Sequence, residues 1–304
     1  MVKIEMRDWR DELRTAVPRA RFDEPLARYT TFKIGGPADA FVDAQDSAEV
    51  LSVLRAARAG GVPFFVLGWG SNLLVRDRGV RGIVLRLAGE FSSVEFLDGA
   101  RVRSGAAVRV PQLVVACAER GLAGLEPIVG VPGTVGGALA MNAGTRDGEI
   151  GPFVLEVEAV DPEALVVRKL SGSQLEFSYR EGPLKNLVAL SCVLQLKPGV
   201  KGDIMTVVGR YQQKRQQTQP IHTFNVGSTF KNPPGRFAAQ MIEQLGLKGH
   251  AIGGARVSPL HANFIENFAG AKASDVLALV DLIRERARAN FGVGLELEMR
   301  VVGE

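Results

Sequence analysis

A chain of 304 residues with 46% hydrophobic content can bury a sizeable core and is long enough for two or three domains. Its net charge of +4 is spread without a basic block, which argues against a nucleic-acid surface and suits small anionic ligands. No window approaches the roughly 18 uninterrupted apolar residues of a membrane span, and "MVKIEMRDWRDELR" lacks an apolar leader core, so a cytoplasmic globular protein is expected, with no membrane contact and no obligatory protein partner.

Residues 1–21 read as an amphipathic N-terminal helix ending at Pro18, with a domain beginning near Phe22. "ADAFVDA" reads as a strand, and Ser47 is placed to cap the helix "AEVLSVLRAARAG", whose Val50, Leu51, Leu54 and Ala57 share one face and which Gly60 and Gly61 end. "VPFFVLG" and "GIVLRL" supply further strands. Such a βαβ opening invites comparison with a Rossmann unit, but the turn between first strand and helix, "QDS", has no glycine, and no GxxxxGK[ST] pattern occurs.

From 88 to 197 the strand-like runs "ARVRSGAAV", "FVLEVEAV", "ALVVRKL" and "LVALSCVLQL" alternate with the helix "PQLVVACAERG" and a glycine-rich stretch. A polar helix, "DIMTVVGRYQQKRQQTQP", then closes at Pro220. The remainder repeats a mixed layout: "GRFAAQMIEQLG", "GARVS", "HANFIEN", a long helix from Ser274 to about Asn290, and the strand "GLELEMRVVG". The pattern predicts an α+β chain with a smaller C-terminal domain.

Cys117 and Cys192 lie in apolar runs and read as small buried hydrophobes. His222, His250 and His261 lack an acidic partner pattern, and with the two cysteines they give no metal-ligand spacing, so hydrolase and metal chemistry are discounted. Chemistry falls instead to two glycine-rich segments, "LGWGSN" (67–72) and "GVPGTVGGALAMNAG" (130–144). Either alone fits a tight turn followed by close helix packing; together they suit backbone N–H groups aimed at one large anionic ligand. Asn72, Thr134 and Asn142 carry side chains able to bond a phosphate or a ring. "VGSTFKNPPG" offers Ser228, Lys231 and Asn232 in what is otherwise a turn motif, and "FSYREG" offers Arg180 between an aromatic residue and a turn. In "LELEMR", alternation puts Glu296 and Glu298 on one face and leaves both as solvated surface.

In the same order along the chain, "YTTFKIGGPAD", "VLGWGSNLLV", "GLEPIVGVPGTVGGALAMNAG", "FSYR", "GSTFKNP", "GLKGHAIGGARVSPLHANFIEN" and "GVGLELEMR" resemble the UDP-N-acetylenolpyruvoylglucosamine reductase (MurB) family over residues 22–304. The resemblance implies an FAD-binding two-subdomain fold of the vanillyl-alcohol-oxidase type over 22–217 (subdomains about 22–87 and 88–217) and a C-terminal α+β substrate domain over 218–304. It implies FAD, NADPH as hydride donor, and reduction of UDP-N-acetylenolpyruvoylglucosamine to UDP-N-acetylmuramate for peptidoglycan. No histidine precedes His222 and neither cysteine lies in a flavin loop, so the FAD is expected to be non-covalent.

The same resemblance makes Arg180, Ser228 and Glu298 the catalytic trio. It assigns the cofactor to Gly35, Gly36, Gly68, Gly70, Ser71, Asn72, Leu73, Gly130, Pro132, Gly133, Thr134, Gly136, Gly137, Asn142, Ala143, Gly144 and Arg215, and the substrate to Lys231, Asn232 and Lys248. Three features depart from the family pattern. Gly182 stands where a serine is common, Thr145, Arg146 and Asp147 replace the usual residues after "NAG", and the short spacing from Arg180 to Ser228 is that of the short-loop type. An oxidase of small alcohols on the same fold, or a flavin-binding module without turnover, are the alternatives, and neither needs the trio together.

Overall fold

The computed structural model describes residues 8–304, so the first seven positions of the expected N-terminal helix lie outside the described residues. Two compact units emerge, and the chain passes between them repeatedly. The first comprises the described residues up to Glu24, Ala38–Gly68 and Arg81–Gln212; the second comprises Pro25–Pro37, Trp69–Val80 and Gln213–Glu304.

In the first unit, Asp8 caps the helix Trp9–Ala16 by accepting the Arg10 N–H at 3.0 Å. Leu13 and Val17 are buried in the same apolar cluster as Val50, Val53, Leu54 and Ala57 of the helix Ser47–Ala59. The expected cap Ser47 is one residue too late. Asp46 caps this helix, its carboxylate accepting the Glu49 N–H at 2.9 Å, while the Ser47 hydroxyl donates to Glu90. The helix packs with a four-stranded sheet ordered Arg21–Pro25, Pro37–Ala44, Val80–Leu87, Phe64–Val66, whose last two strands run parallel.

A five-stranded antiparallel sheet follows, ordered Val166–Ser171, Val154–Asp161, Val188–Gln195, Arg101–Gly105, Val94–Leu97. The helix Val110–Glu119 contributes Leu113, Val114 and Cys117 to its apolar cluster, and Cys192 comes from the sheet. Both thiols are buried as the sequence predicts, and burial pushes each up to about 12, so neither is a thiolate near neutral pH.

The second unit gathers Phe32, Ile34 and Leu74 into one core with Val226, Phe230, Ile242, Leu279 and Met299. Its strand Leu73–Val75 runs parallel to Arg300–Val302, and Phe32 and Asn267 are tied by a 3.0 Å bond from the Asn267 amide to the Phe32 carbonyl. These contacts draw Pro25–Pro37 and Trp69–Val80 out of the consecutive flavin segment that the sequence suggests. The long helix is Ala273–Phe291, and Asp77 accepts both Ala273 N–H (2.8 Å) and Ser274 N–H (3.1 Å) at its start, a carboxylate at the positive end of the helix dipole. Asp275, bonded by the Lys272 and Gly254 amides, is held below the usual carboxylate range by them.

Candidate active site

Within the first unit, "GVPGTVGGALAMNAG" is not all loop: Val135–Met141 is a short helix, and Thr134 caps it with its hydroxyl oxygen 3.3 Å from the Gly137 N–H. The segment is anchored at its start by Val110 N–H on the Gly133 carbonyl (3.0 Å) and Val135 N–H on the Val108 carbonyl (2.8 Å). Gly136 N–H is spent on the Ala106 carbonyl. Among the described residues, the backbone N–H groups of Gly130, Gly133 and Thr134 donate to no protein acceptor, which folded backbone tolerates only where solvent or a ligand takes the proton. Gly68 approaches this cradle so closely that a Cβ there would sit 2.7 Å from the Thr134 hydroxyl. The arrangement fits a pyrophosphate: donors without protein partners, and the Thr134 proton still available to donate.

Asn142 follows the helix in a left-handed conformation, and its side chain is fully buried. Its amide donates to the Ser178 carbonyl at 3.0 Å and its carbonyl accepts Gly151 N–H at 3.1 Å. The side chain read from the sequence as a ligand contact is therefore committed to protein, and what it does is fasten the glycine segment to the Arg180 segment. Ala143 N–H likewise closes on the Ala138 carbonyl, and Gly144 pairs with Glu149 in a two-stranded hairpin whose turn carries Arg146 and Asp147. The departure at Thr145, Arg146 and Asp147 thus falls on a surface turn, where Thr145 accepts the Asp147 N–H.

Arg180 stands at the corner of a two-residue hairpin closed by Ser178 N–H on the Glu181 carbonyl (2.9 Å) and its reciprocal (3.1 Å). Its φ is +61°, a left-handed conformation that costs a non-glycine residue about 1–2 kcal/mol. Its guanidinium carbon lies 4.9 Å from the centre of the exposed Tyr179 ring. Gly182, the second departure, is required: a Cβ there would lie 1.7 Å from the Leu139 carbonyl oxygen, and its N–H donates to the Ala140 carbonyl. The Arg180 segment thus makes direct backbone contact with the glycine-rich helix. Gly182→Ala is expected to destabilise the protein by about 1–3 kcal/mol in chemical denaturation and to weaken cofactor retention, because overpacking displaces that helix.

In the second unit, Ser228 precedes a strand-like run. Thr229 accepts the Glu298 N–H at 2.9 Å, Phe230 bridges Leu297, and Lys231 N–H donates to the Glu296 carbonyl at 2.9 Å. This pairing sets Thr229, the residue after Ser228, against Glu298, joining two stretches that lie far apart in the sequence. Ser228 is half-buried, and among the described residues its hydroxyl has no protein hydrogen-bond partner. Alternation is only part of the account of the glutamates. Glu296 is solvated, its carboxylate 3.5 Å from Lys231 Nζ, whereas Glu298 is half-buried and Asn72 donates to its carbonyl at 3.1 Å. The Asn72 side-chain N–H, expected on the cofactor, is thus held by protein, and the Asn72 carbonyl accepts Arg300 N–H at 3.0 Å. Leu73 continues into the parallel pair with Arg300.

The remaining predicted residues are placed as follows. Gly36 N–H bonds the Arg76 carbonyl, Gly35 packs on Val75, and the Gly70 carbonyl accepts Thr31 N–H. Lys248 pairs with Glu243 at 2.7 Å, and the Asn232 side chain accepts Ala238 N–H at 3.1 Å. Arg215 is half-buried, and desolvation lowers its pKa. Sequence reasoning passed over Asn225, whose side chain accepts Gly227 N–H (3.0 Å) and donates to the Pro220 carbonyl (2.8 Å), and over Arg109, bridged to Thr134. It also passed over Asn263, for which the signal was available: an amide inside the otherwise apolar run "HANFI" is a buried polar group that must have partners.

An α+β fold whose glycine segment presents amides without protein acceptors fits a flavin-binding oxidoreductase. Residues 38–169 match the family model of the FAD binding domain, and residues 219–302 match that of the UDP-N-acetylenolpyruvoylglucosamine reductase C-terminal domain. The chain belongs to the UDP-N-acetylenolpyruvoylglucosamine reductase family. It is 43% identical to that reductase of Rubrobacter xylanophilus over 96% of this chain and 98% of the relative. It is 42% identical to UDP-N-acetylenolpyruvoylglucosamine reductase 2 of Symbiobacterium thermophilum over 94% of this chain and 92% of the relative. Among solved structures, MurB of Thermus caldophilus superposes with a TM-score of 0.81 at 36% identity, covering 94% of this chain and 98% of that one. Wild-type Phl p 4.0202, a glucose dehydrogenase, matches 64% of this chain and 44% of its own at TM-score 0.50 and 15% identity, a likeness of fold alone.

Proposed function

We propose that the chain reduces UDP-N-acetylenolpyruvoylglucosamine to UDP-N-acetylmuramate with NADPH, the reductive step of peptidoglycan precursor synthesis. The family membership supports the reaction, and one observation of the site carries its mechanism: Ser228 offers a hydroxyl without a protein partner on the same strand-like run that fixes Glu298. Bound FAD, held non-covalently, supplies the redox chemistry by relaying a hydride from NADPH to C3 of the enolpyruvyl group.

The residues of the chain manage charge and a proton. Hydride addition at C3 puts negative charge at C2, delocalised into the adjacent carboxylate. Arg180 holds that carboxylate through a planar pair of N–H donors and stabilises the developing enolate. Glu298 assists the proton transfer. Ser228 then gives its proton to C2; a hydroxyl is a weak acid in water, but a carbanion is a strong enough base to take it when the two are aligned. Gly130, Gly133 and Thr134 present amides to the FAD pyrophosphate, with Gly68, Gly70, Ser71, Gly136, Gly137 and Arg215 around the cofactor. Lys231, Asn232 and Lys248 serve the diphosphate of the substrate.

The flavin segment is assigned to 22–217 and the substrate domain to 218–304. Among the described residues no helix is long and apolar enough to cross a membrane. A cytoplasmic site follows from the two nucleotide substrates, and with it a part in cell-wall growth and division. The test is product analysis after incubation with NADPH and the enolpyruvyl substrate. UDP-N-acetylmuramate, two hydrogens heavier than the substrate, is the expected product; NADPH oxidation that depends on oxygen and leaves the substrate unchanged would instead identify an oxidase.

A further inference from the structure

Asn263 is 96% buried in the second unit's core, although no chemistry has been asked of it. Its side chain grips the backbone of one residue from both ends: Oδ1 accepts the Phe230 N–H at 3.0 Å, and Nδ2 donates to the Phe230 carbonyl at 2.8 Å. Its own carbonyl accepts Thr229 N–H at 2.8 Å. A single residue therefore imitates a neighbouring strand, and it does so immediately after Ser228. On the opposite edge of the same run the Thr229 carbonyl takes the Glu298 N–H, so the position of Glu298 depends on the peptide that Asn263 holds.

Core filling does not account for an amide here. Thr229, Phe230 and Phe264 around it are each under 4% exposed, and an apolar side chain of similar volume would avoid the desolvation of four polar valences. What the amide adds is direction. The loop carrying it is itself fastened, with Asn263 N–H on His261 Nδ1 (3.3 Å) and Leu260 N–H on the buried Ser258 hydroxyl (3.3 Å). Burial holds His261 below its ordinary value, which keeps that nitrogen an acceptor.

We infer that Asn263 is a positioning residue for the proton-transfer step, setting the Ser228 hydroxyl and the Glu298 carboxyl through the Thr229–Phe230 peptides. The inference rests on the reaction proposed above. The displacement that follows loss of a two-ended clamp is of the order of an ångström, and a misplacement of that size costs a reaction roughly 100-fold.

The test separates the two half-reactions in Asn263→Asp, which keeps the acceptor for Phe230 N–H but sets a carboxylate oxygen against the Phe230 carbonyl, and in Asn263→Ala. Flavin content and thermal melting are recorded for each. The expected result is reduction by NADPH at the wild-type rate, anaerobic reoxidation by UDP-N-acetylenolpyruvoylglucosamine slowed about 100-fold, an unchanged half-saturating substrate concentration, and a larger solvent deuterium isotope effect on reoxidation. Equal slowing of both half-reactions, or wild-type reoxidation in both variants, would overturn the inference. Loss of flavin and of a cooperative melt in both variants would overturn it too, making Asn263 a folding residue. Wild-type protein that the substrate fails to reoxidise would overturn the proposed reaction itself, which the variants alone leave standing.

Discussion

Ser228→Ala is expected to leave reduction of the protein by NADPH untouched and to slow its reoxidation by the enolpyruvyl substrate by about 10²–10⁴-fold, the range general-acid catalysis contributes. Among the described residues the hydroxyl has no protein bond to break, so its removal leaves the Thr229 and Phe230 pairing in place and should cost little stability. The proton is needed only after hydride has reached C3, so the loss belongs to one half-reaction. Ser228→Cys, with a more acidic proton on a larger atom, should recover part of the rate. Rapid stopped-flow reoxidation in Ser228→Ala would remove the hydroxyl from the mechanism while keeping the enzyme.

Arg180→Gly is expected to move activity and stability in opposite directions. The arginine holds φ at +61°, where glycine is at ease, so the substitution relieves about 1 kcal/mol of strain and raises the thermal midpoint by roughly 2 °C. Reoxidation by substrate should fall about 10²–10³-fold, the typical loss when one preorganised charge-stabilising group is removed. Arg180→Ala supplies the control: the same loss of rate without the gain in stability, since alanine is strained there as arginine is. A protein that tolerates strain for a side chain it does not need would show no loss of rate, and that outcome would dismiss Arg180 as the group that holds the substrate carboxylate.

The sequence reveals most elements because their periodicity is local. The helices Val110–Glu119 and Ala273–Phe291 and the strands Val154–Asp161 and Val188–Gln195 all sit where their apolar spacing puts them. Ser47 was missed as a cap by one position because Asp46 and Ser47 are both good caps and only backbone geometry chooses between them. In the glycine-rich stretch the five glycines hide the bounds of a helix of seven residues. The site was legible as a set of side chains but not as a set of partners. Asn72 and Asn142 carry the right chemistry for a ligand, yet long-range bonds to Glu298 and Ser178 commit them to protein, and sequence spacing says nothing of such bonds. Gly182 looked like a loss until the Leu139 carbonyl showed why nothing larger fits. The interleaving of the two units could not be read at all, since it depends on the pairing of Leu73–Val75 with Arg300–Val302 at the far end of the chain.

The most direct measurement of the central claim is anaerobic reoxidation of the NADPH-reduced wild-type protein, followed at the flavin band after mixing with UDP-N-acetylenolpyruvoylglucosamine. Recovery of absorbance at a rate that saturates with substrate, and yields UDP-N-acetylmuramate in stoichiometric amount, is the predicted result. A flavin that stays bleached until oxygen is admitted would contradict the reductase reading and leave an oxidase on the same fold.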